Sequence, residues 1–355
     1  MRIVLISDTH YGIKNDNIPF LDNNKKFLDN VFFPYIDDNK IDTMIHLGDL
    51  VDRRKYINSY TKHRLRTDFL MPLSCRGIKS HFIVGNHDCF YKNKNEVNAL
   101  REYVEGISDN FIIYDQEAVD VTFDGLDILL VPWKCDENQE QIIGAINESR
   151  STVAMGHLEI QGFEMYRGSV VSHGDDRNIF SAFDLVFSGH FHHRSSDGRI
   201  FYLGSHAEFT WSDYDDPKGF HVFDTETKEI TFIENPYKMF KKIWYNDSIE
   251  NFDIETIDYS EYEKCILKVI VQEKINSYWF DKFIEKIEAV NPIELHIVED
   301  HLNLNLEDAQ DIINEAESTI DIMKNYISAY SPKGVDRVKV ETKLVDLYHE
   351  ALTME

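Results

Sequence analysis

The sequence predicts an α/β protein with two sheets packed face to face and helices outside. Two observations carry that prediction. Over the first 130 residues short apolar runs alternate with longer helix-like stretches, which implies parallel strands joined by helical crossovers. Further along, more strand-like runs follow than one sheet would take. Arg2–Ser7, Asp42–Leu47 and Ser80–Val84 read as buried strands, each ending in a polar loop, with helices over Asn23–Asp38 and Ser59–Cys75 between them. Ala118–Phe123 and Leu126–Pro132 read as a hairpin turning at Asp124-Gly125. Thr152–Met155, Phe183–Ser188, Arg199–Leu203, Gly219–Phe223 and Glu229–Ile233 continue the series.

The composition changes near Asn235-Pro236. Residues 236–321 hold 20 acidic and 8 basic side chains, and Cys265–Val271, a helix near Tyr278–Val290 and Ile293–Val298 suggest a small α+β cap. Beyond it, apolar residues recur at helical spacing from Ile312 to Tyr330 and again from Leu344 to Leu352, with a break at Ser331-Pro332-Lys333-Gly334. The expected division is therefore residues 1–235, a cap over 236–303, and C-terminal helices over 304–355.

With 355 residues, 63 acidic and 37 basic, the chain has a formal net charge of −26. That balance argues against a protein that coats DNA or anionic membrane by bulk electrostatics, but leaves room for chemistry at one locally positive site. The cysteines Cys75, Cys89, Cys135 and Cys265 are widely spaced and read as reduced thiols. Arg2–Ile6 is too short for a signal peptide and no apolar run approaches a bilayer span, so a soluble, cytoplasmic protein is expected.

Five loops carry the chemistry, each directly after an expected strand: Asp8-Thr9-His10, Gly48-Asp49-Leu50-Val51-Asp52, Gly85-Asn86-His87-Asp88, Gly156-His157 and Gly189-His190-Phe191-His192. Polar residues at strand C-termini are typical of a site in the crevice of an α/β sheet. Taken singly each loop is only a turn; as an ordered set they supply what a two-metal hydrolase needs. Imidazole, carboxylate and amide ligands together suit Mn, Fe or Zn, whereas all-oxygen sites suit Mg or Ca. One carboxylate must bridge the two ions, and Asp49, from the central strand of the first three, is the natural bridge.

In these five blocks the chain resembles the calcineurin-like metallophosphoesterases, whose ordered signature is D-x-H, GD-x-x-D, GNH-D/E, GH and GH-x-H. Within them it is most similar to the SbcD and MRE-eleven DNA-repair nucleases and their phage recombination counterparts. Val131-Pro132-Trp133, Ser172-His173-Gly174, Tyr202-Leu203-Gly204-Ser205 and Asp216-Pro217-Lys218-Gly219-Phe220 are shared features. The resemblance implies the two-sheet metallophosphoesterase sandwich with a small cap and C-terminal helices. It implies two divalent ions, manganese by preference, one held by Asp8, His10, Asp49 and His192 and the other by Asp49, Asn86, His157 and His190. His87 would be the transition-state histidine, oriented by Asp88. It further implies a DNA exonuclease and endonuclease that works in recombination and repair, docks an SMC-like SbcC-type ATPase through its C-terminal helices, and forms a homodimer through helices such as Ser59–Cys75 and Glu96–Glu105. A phage-encoded chain would act in the host cytoplasm. Where some cellular members carry a histidine three residues after the bridging aspartate, this chain has Asp52.

Between Asp52 and Asp68 lie Arg53, Arg54, Lys55, Lys62, Arg64 and Arg66 with no acid, and Lys92 follows the Gly-Asn-His-Asp loop. Their position beside metal loops makes Arg53, Arg54 and Lys92 candidate phosphate contacts, against the plainer reading of a solvated helix face. Two rival functions stand beside the nuclease. The Asp52-Arg53-Arg54 run is similar to the GD-x-x-DRG of protein serine/threonine phosphatases, so a protein phosphatase or small-molecule phosphoesterase is one. A non-catalytic scaffold with a vestigial metal site is the other.

Overall fold

Burial on both faces explains why the strand sequences run apolar without alternation: in Ile3–Ile6 and Met44–Ile45 odd and even side chains meet different layers. In the computed structural model, which describes residues 1–249 and 252–299, these strands build two six-stranded sheets. Across the first sheet the order is Ile230–Glu234, Gly219–Asp224, Arg2–Ile6, Thr43–His46, Lys79–Ile83 and Phe111–Tyr114. The last four are parallel, and Gly219–Asp224 runs antiparallel to both of its neighbours. Across the second the order is Ser195–Ser196, Ile200–Tyr202, Leu185–Ser188, Val153–Gly156, Leu126–Val131 and Val119–Phe123, with the middle four parallel.

Ile3, Leu5, Ile45, Leu47 and Ile83 of the first sheet side meet Ile128, Leu130, Val153, Met155 and Phe187 of the second in one core cluster. The opposite faces are covered by helices. Val4, Ile6, Met44 and Phe82 pack on Phe27, Phe32, Phe69 and Leu70, while Leu129, Ala154 and Val186 pack on Ile142 and Ile146. The expected sandwich with helices outside is the observed architecture.

The first two helical crossovers of the first sheet span Ile18–Asn39 and Ser59–Cys75, and each contains a π-helical segment, Leu28–Phe32 and Leu65–Leu70. Each segment directly precedes a turn with proline, Pro34 or Pro72, whose missing N–H and ring disrupt the α-helical ladder. Asn58 caps the second helix by accepting from the Tyr60 and Thr61 amides. The Asp124-Gly125 turn has φ of 50° and 83°, the left-handed pair that a two-residue hairpin requires.

A third sheet of Phe240–Asn246, Ile266–Glu273 and Glu294–Glu299 is parallel throughout, with helix Ser277–Ala289 over one face. Its first strand is not expected from the sequence, because Lys241-Lys242 interrupts the apolar run. The strand Phe111–Tyr114 and the helix Gln139–Glu148 are likewise unexpected. The expected C-terminal helices of 304–355 lie outside the described residues. Among the described residues no helix is long and apolar enough to cross a membrane.

Candidate metal centre

The five loops leave the C-terminal ends of parallel strands in both sheets. The first sheet delivers Asp8 and His10, Asp49, and Asn86 with His87; the second delivers His157, and then His190 with His192. Packing the sheets face to face brings the two sets together. Backbone conformation shows how tightly they are forced: Asp8, His10, Asp49 and His190 have φ of 52°, 40°, 55° and 85°. Left-handed backbone outside glycine is uncommon and concentrates at functional sites. At Gly48, φ is +93° and a Cβ would fall on the His157 ring; at Gly189 a Cβ would meet Ser7 Oγ, the Leu47 carbonyl and Asp8.

The side chains form two adjoining groups. In one, His10 Nε2 and His192 Nε2 face each other at 3.0 Å, with Asp8 Oδ1 at 3.8 and 3.9 Å from them. In the other, Asn86 Oδ1 lies 3.0 Å from both His157 Nε2 and His190 Nδ1. Asp49 Oδ2 stands between the groups, 3.8 Å from His10 Nε2 and 3.2 Å from His157 Nε2. Asp8, Asp49, His10 and His157 are buried, while the side chains of His190 and His192 keep 14% and 20% exposure and open the centre to solvent.

Residues 1–194 match the calcineurin-like phosphoesterase family. The chain belongs to that family. Among curated relatives, exonuclease subunit 1 of Enterobacteria phage T4 is 32% identical over 339 residues, covering 93% of each chain. The SbcD subunit of nuclease SbcCD from Staphylococcus saprophyticus is 25% identical over 284 residues, covering 70% of this chain and 74% of the relative. Its counterpart of the same name in Staphylococcus epidermidis is 24% identical over 328 residues, covering 82% and 81%.

A calcineurin-like phosphoesterase works with divalent metal ions, and the residues present fit them. Burial pushes the pKa of His10 well below its usual value, with His192 and His87 adding to it; burial likewise takes His192 down to about 4 and lowers His190. These three are neutral imidazoles with lone pairs to give. Two ring nitrogens at 3.0 Å cannot both carry a proton between them, and His10 Nδ1 and His190 Nε2 are buried with no hydrogen-bond partner among the described residues. Burial raises the Asp8 carboxyl, and the nearby Asp49 charge raises it further. Burial opposes a charge on His157, yet Asp49 outweighs it and lifts the imidazole to about 9. Burial also opposes the Asp49 charge, but the neighbouring His157, and after it His87, hold that carboxyl well below its usual range. A proton on His157 thus occupies the place beside Asp49 that a cation would take. His157 Nδ1 donates to the Leu47 carbonyl at 2.7 Å, which fixes the tautomer with a free Nε2 lone pair once that proton leaves.

His87 is half-buried, with its ring edge-on to His10 at 4.9 Å. The expectation that Asp88 orients it is corrected. The Asp88 carboxylate instead accepts from the amides of Leu50, Val51 and Gly85 at 2.9, 3.2 and 2.9 Å, clamping two metal loops together. The His87 ring is set by its neighbour loop: Nδ1 lies 2.5 Å from the Asp52 carbonyl oxygen. The Asp52 side chain meets His10 Nδ1 at 3.5 Å. One residue therefore faces both histidines, and the sequence signal for it is the second aspartate of the Gly48–Asp52 block.

The basic candidates are placed differently from one another. Arg53 is paired with Asp16 and stacked over the Tyr56 ring at 4.4 Å. Arg54 has a buried Nη1 without a hydrogen-bond partner, and Lys92 is exposed. Three neighbours of the centre are not legible as site residues in the sequence. Phe209 packs 5.6 Å from both the His10 and His192 rings, Trp133 lies 5.1 Å from His190, and Glu159 Oε1 is 3.7 Å from His190 Nε2. Trp133 and His173, which is 3.1 Å from Glu159, lie in segments shared with the resembling nucleases; Phe209 has no such signal.

Proposed function

We propose that this chain is a manganese-dependent DNA nuclease, with double-strand exonuclease and single-strand endonuclease activity, serving recombination and repair as the nuclease subunit of an SbcCD-like complex. The observation that carries the reading is the position of Asp49 between two groups of imidazoles, in a chain with relatives named as nuclease subunits. Asp8, His10, Asp49 and His192 would hold one ion, and Asp49, Asn86, His157 and His190 the other. Two ions so held supply Lewis acidity at the scissile phosphate and an activated water at neutral pH. His87, with Nδ1 turned to the Asp52 carbonyl, presents Nε2 to protonate the leaving oxygen. Asp88 keeps the Gly85–His87 and Leu50–Val51 loops in register with each other.

The bulk charge repels DNA, so local cations must hold it. Arg54 and Lys92 supply phosphate contacts, and Arg53 does so on leaving Asp16 for a phosphate. A cleft lined by Lys14, Phe20, Trp211 and Lys268 adds two cations, Lys268 lying 4.1 Å over the Trp211 ring. Much of the grip on DNA is left to a partner, an SMC-like SbcC-type ATPase docked by segment 304–355, whose apolar residues recur at helical spacing. The cap is assigned to 236–303 and the nuclease domain to 1–235. Homodimerisation uses Ser59–Cys75 and Glu96–Glu105, whose described helical part is Ala99–Tyr103. With DNA as substrate the chain acts in the cytoplasm, the host's if phage-encoded.

The phosphatase and scaffold readings are not favoured: the relatives carry nuclease names along their length, and a scaffold has no use for four ligands held in strained backbone. The test is cleavage of labelled single- and double-stranded DNA with manganese, with and without a coexpressed ATPase of this type, beside a phosphopeptide. DNA cleavage stimulated by the partner is expected; turnover of phosphopeptide alone would overturn the reading.

A further inference from the structure

A buried lysine lies behind the His10/His192 group. Lys218 is 2% exposed, and its ammonium meets three acceptors: the His192 carbonyl oxygen at 2.7 Å, Asp216 Oδ2 at 2.8 Å and Asp213 Oδ1 at 2.8 Å. An ammonium has three N–H donors, so all three are used. Burying it is tolerable only because both carboxylates are buried with it. Each carboxylate has a second anchor. Asp213 Oδ2 accepts from the Phe209 and Thr210 amides, both at 2.9 Å, and Asp216 Oδ1 lies 3.0 Å from His193 Nδ1.

The lysine spans the two sheets. It directly precedes the strand Gly219–Asp224 of the first sheet, and the pairing of Leu5 with His221 sets the start of that strand beside the end of Arg2–Ile6, from which Asp8 and His10 emerge. Its ammonium is bound to the backbone of the loop that follows Leu185–Ser188 in the second sheet, the loop carrying His192. The separation of His10 from His192 depends on how these two loops are held apart. Asp213 extends the same tie to Phe209, the ring that walls both histidines.

We propose that Lys218 is a positioning residue for metal binding: anchored on the first sheet, it fixes the His192 backbone so that His192 and His10 meet at the separation one ion needs. The inference rests on the reading of His192 as a ligand given above. Removing the ammonium alone strands two buried carboxylates, so Lys218→Met is made together with Asp213→Asn and Asp216→Asn, which leaves no unpaired charge. Manganese binding is followed by the EPR signal of the free ion, and the fold by the melting temperature of the metal-free protein. The expected result is an unchanged metal-free melting temperature, unchanged affinity in the Asn86/His157/His190 half, and affinity lowered about 10–100-fold in the other half, the cost of losing a group that orients a ligand. Adding His192→Asn should then cause no further loss. A folded variant that binds both ions as tightly as the wild type overturns the proposal. If His192→Asn alone binds two ions normally, the ligand reading fails first and the proposal falls with it. Should the neutralised variant not fold, Lys218→Arg carries the test. Its planar fork keeps the charge but cannot serve the same three acceptors, so a loss of about 10-fold in the same half is expected, and none overturns the proposal.

Discussion

The two halves of the centre draw on the same two sheets but are finished differently. In the Asn86 half, His157 is wholly buried and held at both ring nitrogens, by the Leu47 carbonyl and by Asn86. In the His10 half, the two imidazoles meet each other at 3.0 Å, the Asp52 carboxylate stands 3.5 Å from His10 Nδ1, and His192 is the more exposed ring. The first half is fixed by the backbone through His157; in the second the imidazoles are set against each other. The Asn86 half should therefore take its ion first and release it last, since a ligand set already in place loses less freedom on binding.

The predictions probe that contrast, beginning with the largest effect. His87 belongs to neither proposed ligand set, although its ring packs on His10, so His87→Ala should lower DNA cleavage about 10²–10⁴-fold, the usual worth of a proton donor, while two ions still bind. Loss of an ion in that variant would make His87 a ligand. Next come two glycines that address one half each. A methyl at Gly48 strikes the His157 ring and should weaken the Asn86 half; a methyl at Gly189 strikes Ser7 and Asp8 and should weaken the His10 half. Each change is expected to cost about 10–100-fold in affinity for one ion, read by manganese titration. Equal losses in both halves from either glycine would remove the distinction.

The pH dependence follows from His157, whose pKa stands at about 9 without an ion. Below that pH the imidazole carries a proton that an incoming cation must displace, and above it the lone pair is free. Affinity in the Asn86 half should thus rise with pH, by at most about tenfold per unit, and level off above pH 9. Affinity that falls as pH rises would contradict the assignment of His157. The smallest effects belong to the rim. Arg54→Ala and Lys92→Ala should each raise KM for DNA a few-fold and leave kcat unchanged, as loss of uniform binding does; a fall in kcat alone would place them in the reaction itself.

The loops that converge on the centre are legible because their polar residues stand in contiguous blocks, each at the end of an apolar run. What the sequence hides depends on contacts between distant segments. Asp88 sits next to His87 in the chain, and adjacency suggests a pair, but the loop turns its carboxylate back onto the amides of Gly85, Leu50 and Val51. Arg53 stands beside a metal loop yet is claimed by Asp16, 37 residues earlier. Phe209 comes to the centre from a separate loop, packed against both histidine rings with its amide held by Asp213. The sandwich is legible from its apolar runs, whereas Phe240–Asn246 is not, since Lys241 and Lys242 mask its alternation. That strand is recognised only once its pairing with Ile266–Glu273 is known.

In the proposed centre both halves share Asp49, and replacing it by alanine is the most direct test of the whole account. The measurement is cleavage of labelled DNA by wild type and Asp49→Ala protein, side by side, across a manganese titration. Manganese-dependent cleavage by the wild type, lowered about 10³-fold or more in the variant at every concentration, is the predicted result. Asp49→Ala protein that cuts DNA at a wild-type rate would contradict it.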